Sequence, residues 1–491
     1  MLPSDEIELK FLCAPEDLGR VLAAAPEGDD DCRELISVYF DTPDLDLQKA
    51  GASLRVRESK GERVQTVKRG DGLAREEHET PIATAAPDPS LGPLPRLLPH
   101  GARGALKPAF HVRVTRRQRL VRFAGAEIEL ALDQGEVRGG KRVSPISEVE
   151  LELKSGEPAA LFQLARTLSQ AAPIYVSFAS KSQRGQALVA DRPLHARHRV
   201  RPALGQGATV AEVFQAIGRG ALASIATNSE LLRQRPDTEA VHQLRVGART
   251  LRSALSTFRE AVEDEDYERV KGELRWLARA CDEARNLDVF AQEILAPAAK
   301  AAPSAPGLKA LAAAIKAARE HAAANVQQAV GSARFRDLLI EVTGWVETGA
   351  WLSHPAARAP ARGFAKDALR ARRRKLLKDG RDLKRLDDVE RHRVRIDAKK
   401  LRYAAEGFRD LFGRKATATR FIKALKALQD ELGALNDLVT AETLLTGVAL
   451  GAKAAFAGGQ LVGRRQASKS RCVRRAAKAL ERLAKADRFW R

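Results

Sequence analysis

The chain has 491 residues, 44% hydrophobic and 30% charged, with a net charge of +21. This is enough apolar material for ordinary buried cores and enough length for about three domains of ~150 residues. No run of about 18 apolar residues occurs, so no segment reads as a membrane-spanning helix. The opening MLPSDEIELK is too acidic and too short of apolar length for a secretory signal, so the chain reads as cytoplasmic. The cysteines Cys13, Cys32, Cys281 and Cys472 stand alone, without the spacing of a disulfide framework or a zinc site.

The charge is unevenly divided. Residues 1–200 hold 29 basic and 29 acidic side chains, and residues 201–491 hold 55 and 34. A neutral half is joined to a strongly basic half. A basic domain favours a polyanion such as nucleic acid, polyphosphate or an anionic membrane.

Residues 1–190 read mostly as strands: EIELKF, ELISVYF, ASLRVRE, RVQTVKR, EIELALD and SEVELELK alternate or are rich in β-formers, with turn signals between them. One helix fits EPAALFQLARTLSQ. A Pro/Arg/Gly stretch at 191–207 reads as a linker, and from about 209 the pattern turns helical, with breaks expected at 302–307, 354–363 and 456–459. The expected fold is α+β multidomain, with an antiparallel β domain over 1–195 and an all-α domain over 205–491.

The strands gather charge on one face. Glu6, Glu8 and Lys10 share a side of EIELKF. Arg55 and Arg57 share one in LRVR, Glu127, Glu129 and Asp133 in EIELALD, and Glu148, Glu150 and Glu152 in SEVELEL. RVTRRQR aligns Arg113, Thr115, Arg117 and Arg119. Glutamates packed this way repel, by about 4 kcal/mol for unit charges ~4 Å apart at an effective dielectric near 20. Cations among them relieve that repulsion, and carboxylates suit hard divalent ions such as Mg2+ or Mn2+. Neighbouring Arg and Lys suit a phosphate-bearing anion.

ExExK, YFDTP (39–43), LRVR (54–57), TVK (66–68), ALDQG (131–135), SEVELEL (147–153) and SKSQRG (180–185), in this order, resemble the CYTH family, the triphosphate tunnel metalloenzymes. The resemblance implies an eight-stranded antiparallel β-tunnel acting on a triphosphate group with divalent metal, two ions per tunnel. It implies metal ligands at Glu6, Glu8, Glu148 and Glu150, with Glu152 and Asp133 as further acidic positions. It implies triphosphate contacts at Lys10, Arg55, Arg57, Lys68, Arg117, Lys181 and Arg184, with Arg116 the alternative register to Arg117. Inorganic triphosphate is the expected substrate. Thiamine triphosphate, a nucleoside triphosphate, adenylate cyclase chemistry and a non-catalytic polyphosphate-binding role stay open as alternatives.

The helical half repeats itself. VHQLRVGARTLRSAL (241–255) aligns with RHRVRIDAKKLRYAA (391–405) at an offset of 150, and CDEARNLDV (281–289) with LGALNDLV (432–439) at 151. Such a period means two copies of a helical unit rather than a solenoid. His242, Arg245, Arg249 and Arg252 fall within one ~80° stripe of a helix, and His392, Arg395, Lys399 and Arg402 repeat it. Both copies resemble the CHAD family, the conserved-histidine α-helical domain, which implies a two-lobed domain with a basic surface that binds inorganic polyphosphate and locates to polyphosphate granules. The implied contacts are those eight residues and Lys400. Thr250 stands where the family often has a base. Gly247 inside the first helix weakens it by about 1 kcal/mol relative to alanine. Aromatic residues are 5% of the chain, too few for evident base-stacking platforms, so nucleic acid is a secondary ligand.

Overall fold

The computed structural model describes residues 5–70, 74–191, 195–198, 204–205 and 207–491. The chain divides into two compact units, residues 1–196 with 332–344, and residues 197–331 with 345–491.

The first unit is built on strands β1 (Asp5–Leu12), β2 (Asp30–Asp41), β3 (Ala52–Ser59), β4 (Glu62–Arg69), β5 (Ala74–Pro81), β6 (Lys107–Phe123), β7 (Ala126–Gly139), β8 (Arg142–Ser155) and β9 (Tyr175–Ser177). The order is β5-β4-β3-β2-β6-β7-β8-β1-β9, antiparallel throughout, and β1 also pairs with β5. Strands β1 to β8 therefore close on themselves, which removes the sheet edges. β5 covers only Asp5–Ile7 of β1, and β9 pairs with Lys10–Leu12, so the expected eight strands gain a short ninth.

Alternation gives each strand an inner and an outer face. Outer residues Phe40, Leu54, Val56 and Val67 pack with Leu47 of α2 (Asp46–Lys49) and Leu94 of α3 (Leu94–Leu97), after α1 (Leu18–Ala24) in the chain. Another outer stretch includes the buried Leu9, Phe11, Val149 and Leu151. There α4 (Ala159–Ala171) packs on β8 and on α1. Each large apolar side chain buried in this way contributes about 1.5–3 kcal/mol.

The inner face is apolar toward one end, where Leu35, Tyr39, Phe110, Val112, Val114, Val137 and Ile146 form one cluster with Leu188 of α5 (Lys181–Val189) against it. The SKSQRG motif starts α5: Ser180 caps it in a capping box with Gln183. Gly185 lies where a Cβ would come 2.1 Å from the Phe110 ring.

The second unit is helical: α6 (Val210–Gln234), α7 (Thr238–Val262), α8 (Tyr267–Ala280), α9 (Asp282–Val289), α10 (Ala296–Ala301), α11 (Leu308–Gly331), α13 (Pro355–Arg358), α14 (Ala361–Asp379), α15 (Asp388–Phe408), α16 (Lys415–Gly447), α17 (Ala452–Gln466) and α18 (Lys469–Lys485). Helix α12 (Ala333–Thr348) spans the division between the units. The repeat read in the sequence extends to the helix starts. Asp237 caps α7 and Asp387 caps α15, each accepting a backbone N–H three residues on. Helices α7 and α15 pack against each other. Gly247 has a packing reason, since a Cβ there would come 2.7 Å from Ile225 of α6. The break expected at 456–459 does not occur. Gly458 sits inside α17 facing Leu445, so the glycine serves close packing rather than a turn.

Gly185→Ala is expected to push Phe110 off its stack with Tyr39, whose ring centroids are 4.6 Å apart. Overpacking of this kind destabilises by about 1–3 kcal/mol. Pulsed hydrogen exchange of β6 along a urea series should show the barrel opening at lower urea; an unchanged midpoint would contradict this packing.

Candidate functional site

The register of the sheet assembles a charged band on the inner face. Arg116 lies opposite Asp133, and Asp133 opposite Glu148. Lys10 lies opposite Glu150, and Glu8 opposite Glu152. Across the barrel Ser37 faces Arg57, Tyr39 faces Arg55, Arg55 faces Thr66, and Thr66 faces Glu79. Directly opposed residues of an antiparallel pair share a face, so these charges are neighbours by construction.

Their contacts are dense. Lys181, the first residue of α5, places its ammonium 2.6 Å from Glu150, 2.7 Å from Asp133 and 2.9 Å from Glu148. Arg116 donates to both oxygens of Asp133 at 2.7 Å and also to Glu150. Lys10 donates to Glu150 and lies 3.5 Å from Glu8 and 3.8 Å from Glu148. Arg184 lies 3.1 Å from Glu148. Burial alone would discharge these groups. Opposite charges reverse that. For Glu150, burial raises the carboxyl's pKa, but Lys10, Lys181 and Arg116 hold it well below the usual range. Burial acts against the Lys181 ammonium too, yet Asp133, Glu148 and Glu150 hold its pKa well above the ordinary one.

The opposite wall is less compensated. Arg55 lies 3.6 Å from Glu77 and 3.8 Å from Glu79, and Lys68 lies 3.0 Å from Glu77. Arg57 makes no side-chain hydrogen bond or ion pair among the described residues, and its buried Nε has no acceptor. Burial, together with Arg55 and Arg116, depresses its guanidinium to about 10. Tyr39 joins this wall beside Arg55. Burial raises its phenol, but Arg55, with Lys181 and Arg57, holds it below the usual value.

Most of the expected residues thus meet. The side chain of Glu6 lies outside the described residues; its backbone pairs with Arg75 in β5. Glu152 stands by Lys154 at 2.6 Å, at a more exposed position. One expectation changes. Arg117 is exposed on the outer face and Arg116 is the inner arginine, because β6 alternates with Phe110, Val112 and Val114 inward. Asp133 is fully buried with its oxygens held by Arg116 and Lys181, as those of Glu150 are by Lys10, Lys181 and Arg116, so at either acid a metal ion would have to displace those cations. Arg113 and Arg119, aligned with Arg117 in the sequence, pair outside with Glu34 and Asp30, both at 2.6 Å.

A divalent ion fits the remaining donors. Glu8, Glu148 and Glu150 are hard oxygen ligands, and the buried oxygens of Glu148 are held by the Lys181 and Arg184 ion pairs without a well-aligned hydrogen bond. No group of three metal-ligating side chains stands preassembled among the described residues, where the lysine ammoniums lie between the acids.

In the second unit the two basic stripes meet where α7 and α15 pack. Lys399 is pushed down to about 6 by burial and by Arg395, Arg249 and Arg245. Burial with Arg285, Arg249 and Arg245 lowers His242 to about 4, so it is a neutral imidazole at pH 7, and its Nδ1 has no partner. His392 is exposed, with Nδ1 2.7 Å from Asn436 Oδ1. Arg245 pairs with Asp282 at 2.5 Å, and Arg402 with Glu406 at 3.0 Å. Burial and neighbouring cations depress Arg249, Arg252 and Arg395. Lys400 is half-buried and enters none of these pairs. Arg285 of α9, which the sequence reading did not single out, belongs to the cluster.

Comparison with known proteins accords with this geometry. The CYTH domain model matches residues 4–185, and the CHAD domain model matches residues 216–446. The chain thus joins a CYTH domain to a CHAD domain. An inorganic triphosphatase of Haemophilus influenzae is 35% identical over 193 residues, which are 37% of this chain and 54% of that protein. The chain therefore spans about half the length of that relative. The crystal structure of the CHAD domain from the plant Ricinus communis is 29% identical, with a TM-score of 0.53, over 60% of this chain and 98% of that one. No helix among the described residues is long and apolar enough to cross a membrane.

The Lys399 amine is expected to titrate near pH 6, protonated below and neutral above. Arg249→Ala should raise that value by removing a repelling charge. Carbon-13 methyl-lysine NMR, assigned with Lys399→Arg, reads it; a wild-type titration above pH 10 would contradict the cluster.

Proposed function

We propose that the first unit hydrolyses inorganic triphosphate to pyrophosphate and phosphate with Mg2+ or Mn2+, and that the second unit holds inorganic polyphosphate. The first reading rests on one observation above the others: a closed barrel directs paired acids and bases at one another, with Arg57 left unpaired. Polyanion binding alone would gain from neutral residues in place of Glu8, Glu148 and Glu150. Those acids are the residues that would hold two divalent ions, with Glu6 and Glu152 beside them. Bound there, metal would polarise phosphoryl oxygen and acidify a water molecule.

The chain's own cations have the complementary task. Arg57, Arg55 and Lys68 would take the phosphoryl oxygens on one wall. Lys10, Lys181, Arg184 and Arg116 would take them on the other as they exchange carboxylate for phosphate partners. Guanidinium forks suit phosphate bidentately. Fixed positive charge around the bridging oxygen stabilises the leaving pyrophosphate without reorganisation. Asp133 would keep Arg116 and Lys181 aimed inward. Water gains the terminal phosphoryl group, the P–O bridge breaks toward pyrophosphate, and the water's proton is released. The similarity to an inorganic triphosphatase supports this choice among triphosphates.

The second reading rests on the mutual repulsion of Arg245, Arg249, Arg252, Arg395, Lys399 and Arg402, with His242 and His392 at the ends of the stripes and Lys400 alongside. A flexible polyphosphate relieves that repulsion and needs no base-stacking surface. Such a grip would bring the chain to polyphosphate granules. Nucleic acid would bind more weakly through the same phosphate contacts.

Phosphate release from inorganic triphosphate should require Mg2+ or Mn2+ and exceed that from ATP or thiamine triphosphate. Glu8 touches only Lys10 among these groups, so Glu8→Gln tests metal binding with little risk to folding. It should lower kcat/KM about 100-fold or more, the loss of a few kcal/mol of metal-borne stabilisation. Unchanged turnover would refute the metal assignment. Full-length chain should bind long-chain polyphosphate with an affinity that falls steeply with salt. It should also take up protons at pH 7 as Lys399 charges. Arg395→Ala with Lys399→Ala should weaken the binding and abolish the proton uptake, and salt-insensitive binding by the unaltered chain would refute the polyanion site.

A further inference from the structure

Away from the paired stripes, the second unit contains a cavity of about 590 Å3 lined by Arg370, Arg373, Arg374, Leu377, Lys378, Arg381, Arg488 and Trp490. The α14 members, with Arg381 just beyond its end, recur at i, i+3, i+4, i+7, i+8 and i+11, which is one helical face. Other faces of α14 are already engaged. Lys375 pairs with Asp397 of α15 at 3.0 Å, and Arg372 donates to Ser256 O and Thr257 Oγ1 of α7, both at 3.0 Å. None of the lining residues belongs to the stripes on α7 and α15.

Six cations share this cavity, and their acidic compensation is slight. Among the described residues their one ion pair is Arg370 with Asp367 at 3.7 Å. Arg373 donates to the Ala484 carbonyl at 2.6 Å, while its Nε is buried without an acceptor. The other wall is anchored in the core. Trp490 is 1% exposed and packs edge-on against Phe421 and Phe489, each with centroids 4.9 Å away. Its Nε1–H also has no acceptor. These two donors, on residues that line one cationic cavity, are open to an acceptor-rich ligand.

We propose that this cavity is a second anion site, separate from the α7/α15 stripes, that takes a compact inorganic oligophosphate. Five of the six cations are arginines, whose planar forks match phosphate oxygens. The volume falls within the range of small-ligand pockets and admits several phosphoryl groups. The buried, edge-packed Trp490 ring offers no face for a nucleobase, which favours a bare phosphate chain over a nucleic acid. The proposal rests on the cavity alone and stands or falls independently of the tunnel reaction.

The chain has four tryptophans, so the full-length protein with nitrogen-15 tryptophan should give four indole N–H resonances, that of residue 490 being assigned by Trp490→Phe. Inorganic triphosphate, added with EDTA at low salt, should move the Trp490 resonance saturably. Arg374 and Arg381 are exposed and leave the core intact when replaced. Arg374→Ala with Arg381→Ala should weaken that response about tenfold or more, the loss expected for charge-assisted contacts. Arg395→Ala with Lys399→Ala should leave it unchanged. An unmoved Trp490 resonance, or equal weakening in both double variants, would overturn the proposal. So would a thymidine oligonucleotide acting at lower phosphate concentration than triphosphate, which would make the surface a nucleic-acid face.

Discussion

The barrel depends on charges that neutralise one another in its interior. Lys181 alone meets three carboxylates, and Arg116 and Lys10 both reach Glu150. An ion buried without a partner is destabilising by several kcal/mol, and a buried pair recovers this only with good geometry and further hydrogen bonds. Here that geometry comes from the sheet. Cross-strand register brings Arg116, Asp133 and Glu148 into one row, and the capped start of α5 delivers Lys181 to it. The same ion pairs are the handles by which a metal–phosphate complex could enter. An anion can take the lysines and arginines while cations take the acids, and the count of opposite charges is kept.

The second unit handles positive charge in the opposite manner. Its stripes meet with few acids between them: Asp282 holds Arg245 and Glu406 holds Arg402, while burial and like charge depress Arg249, Arg252, Arg395 and Lys399. Lys399 near 6 and His242 near 4 record burial first and that repulsion second. The cavity beside Trp490 follows the same rule on another face. One unit stores compensated charge and the other uncompensated charge. That difference is the ground for proposing an enclosed small complex in the first and an anion held along a surface in the second.

Much of this was legible because it has a short period. Alternation placed Glu8 with Lys10, and Glu148 with Glu150, on one face. The 150-residue repeat anticipated that α7 and α15 would be equivalent. What was not legible depends on register or on distant contact. RVTRRQR has arginines on both faces, and a one-residue slip exchanges them. Only the pairing of Arg116 with Asp133 decides the matter. Tyr39 was read as part of the YFDTP motif; its place beside Arg55 required the β2–β3 register. In that motif Asp41 has a local task, accepting the backbone N–H groups of Thr42, Leu47 and Gln48 at 2.8–3.1 Å to shape the turn into α2. The cavity at Trp490 joins α14 to a segment far along the chain, and no local pattern announces it.

The central claim is that metal and triphosphate replace the internal ion pairs of the barrel. Crystals grown with Mn2+ and a slowly hydrolysed triphosphate analogue, measured at the manganese absorption edge, test it most directly. The account predicts anomalous density at the carboxylates of Glu8, Glu148 and Glu150, with the Lys10 and Lys181 ammoniums moved onto phosphate oxygens. Manganese bound only outside the barrel, with Lys181 still seated on Asp133, Glu148 and Glu150, would contradict it.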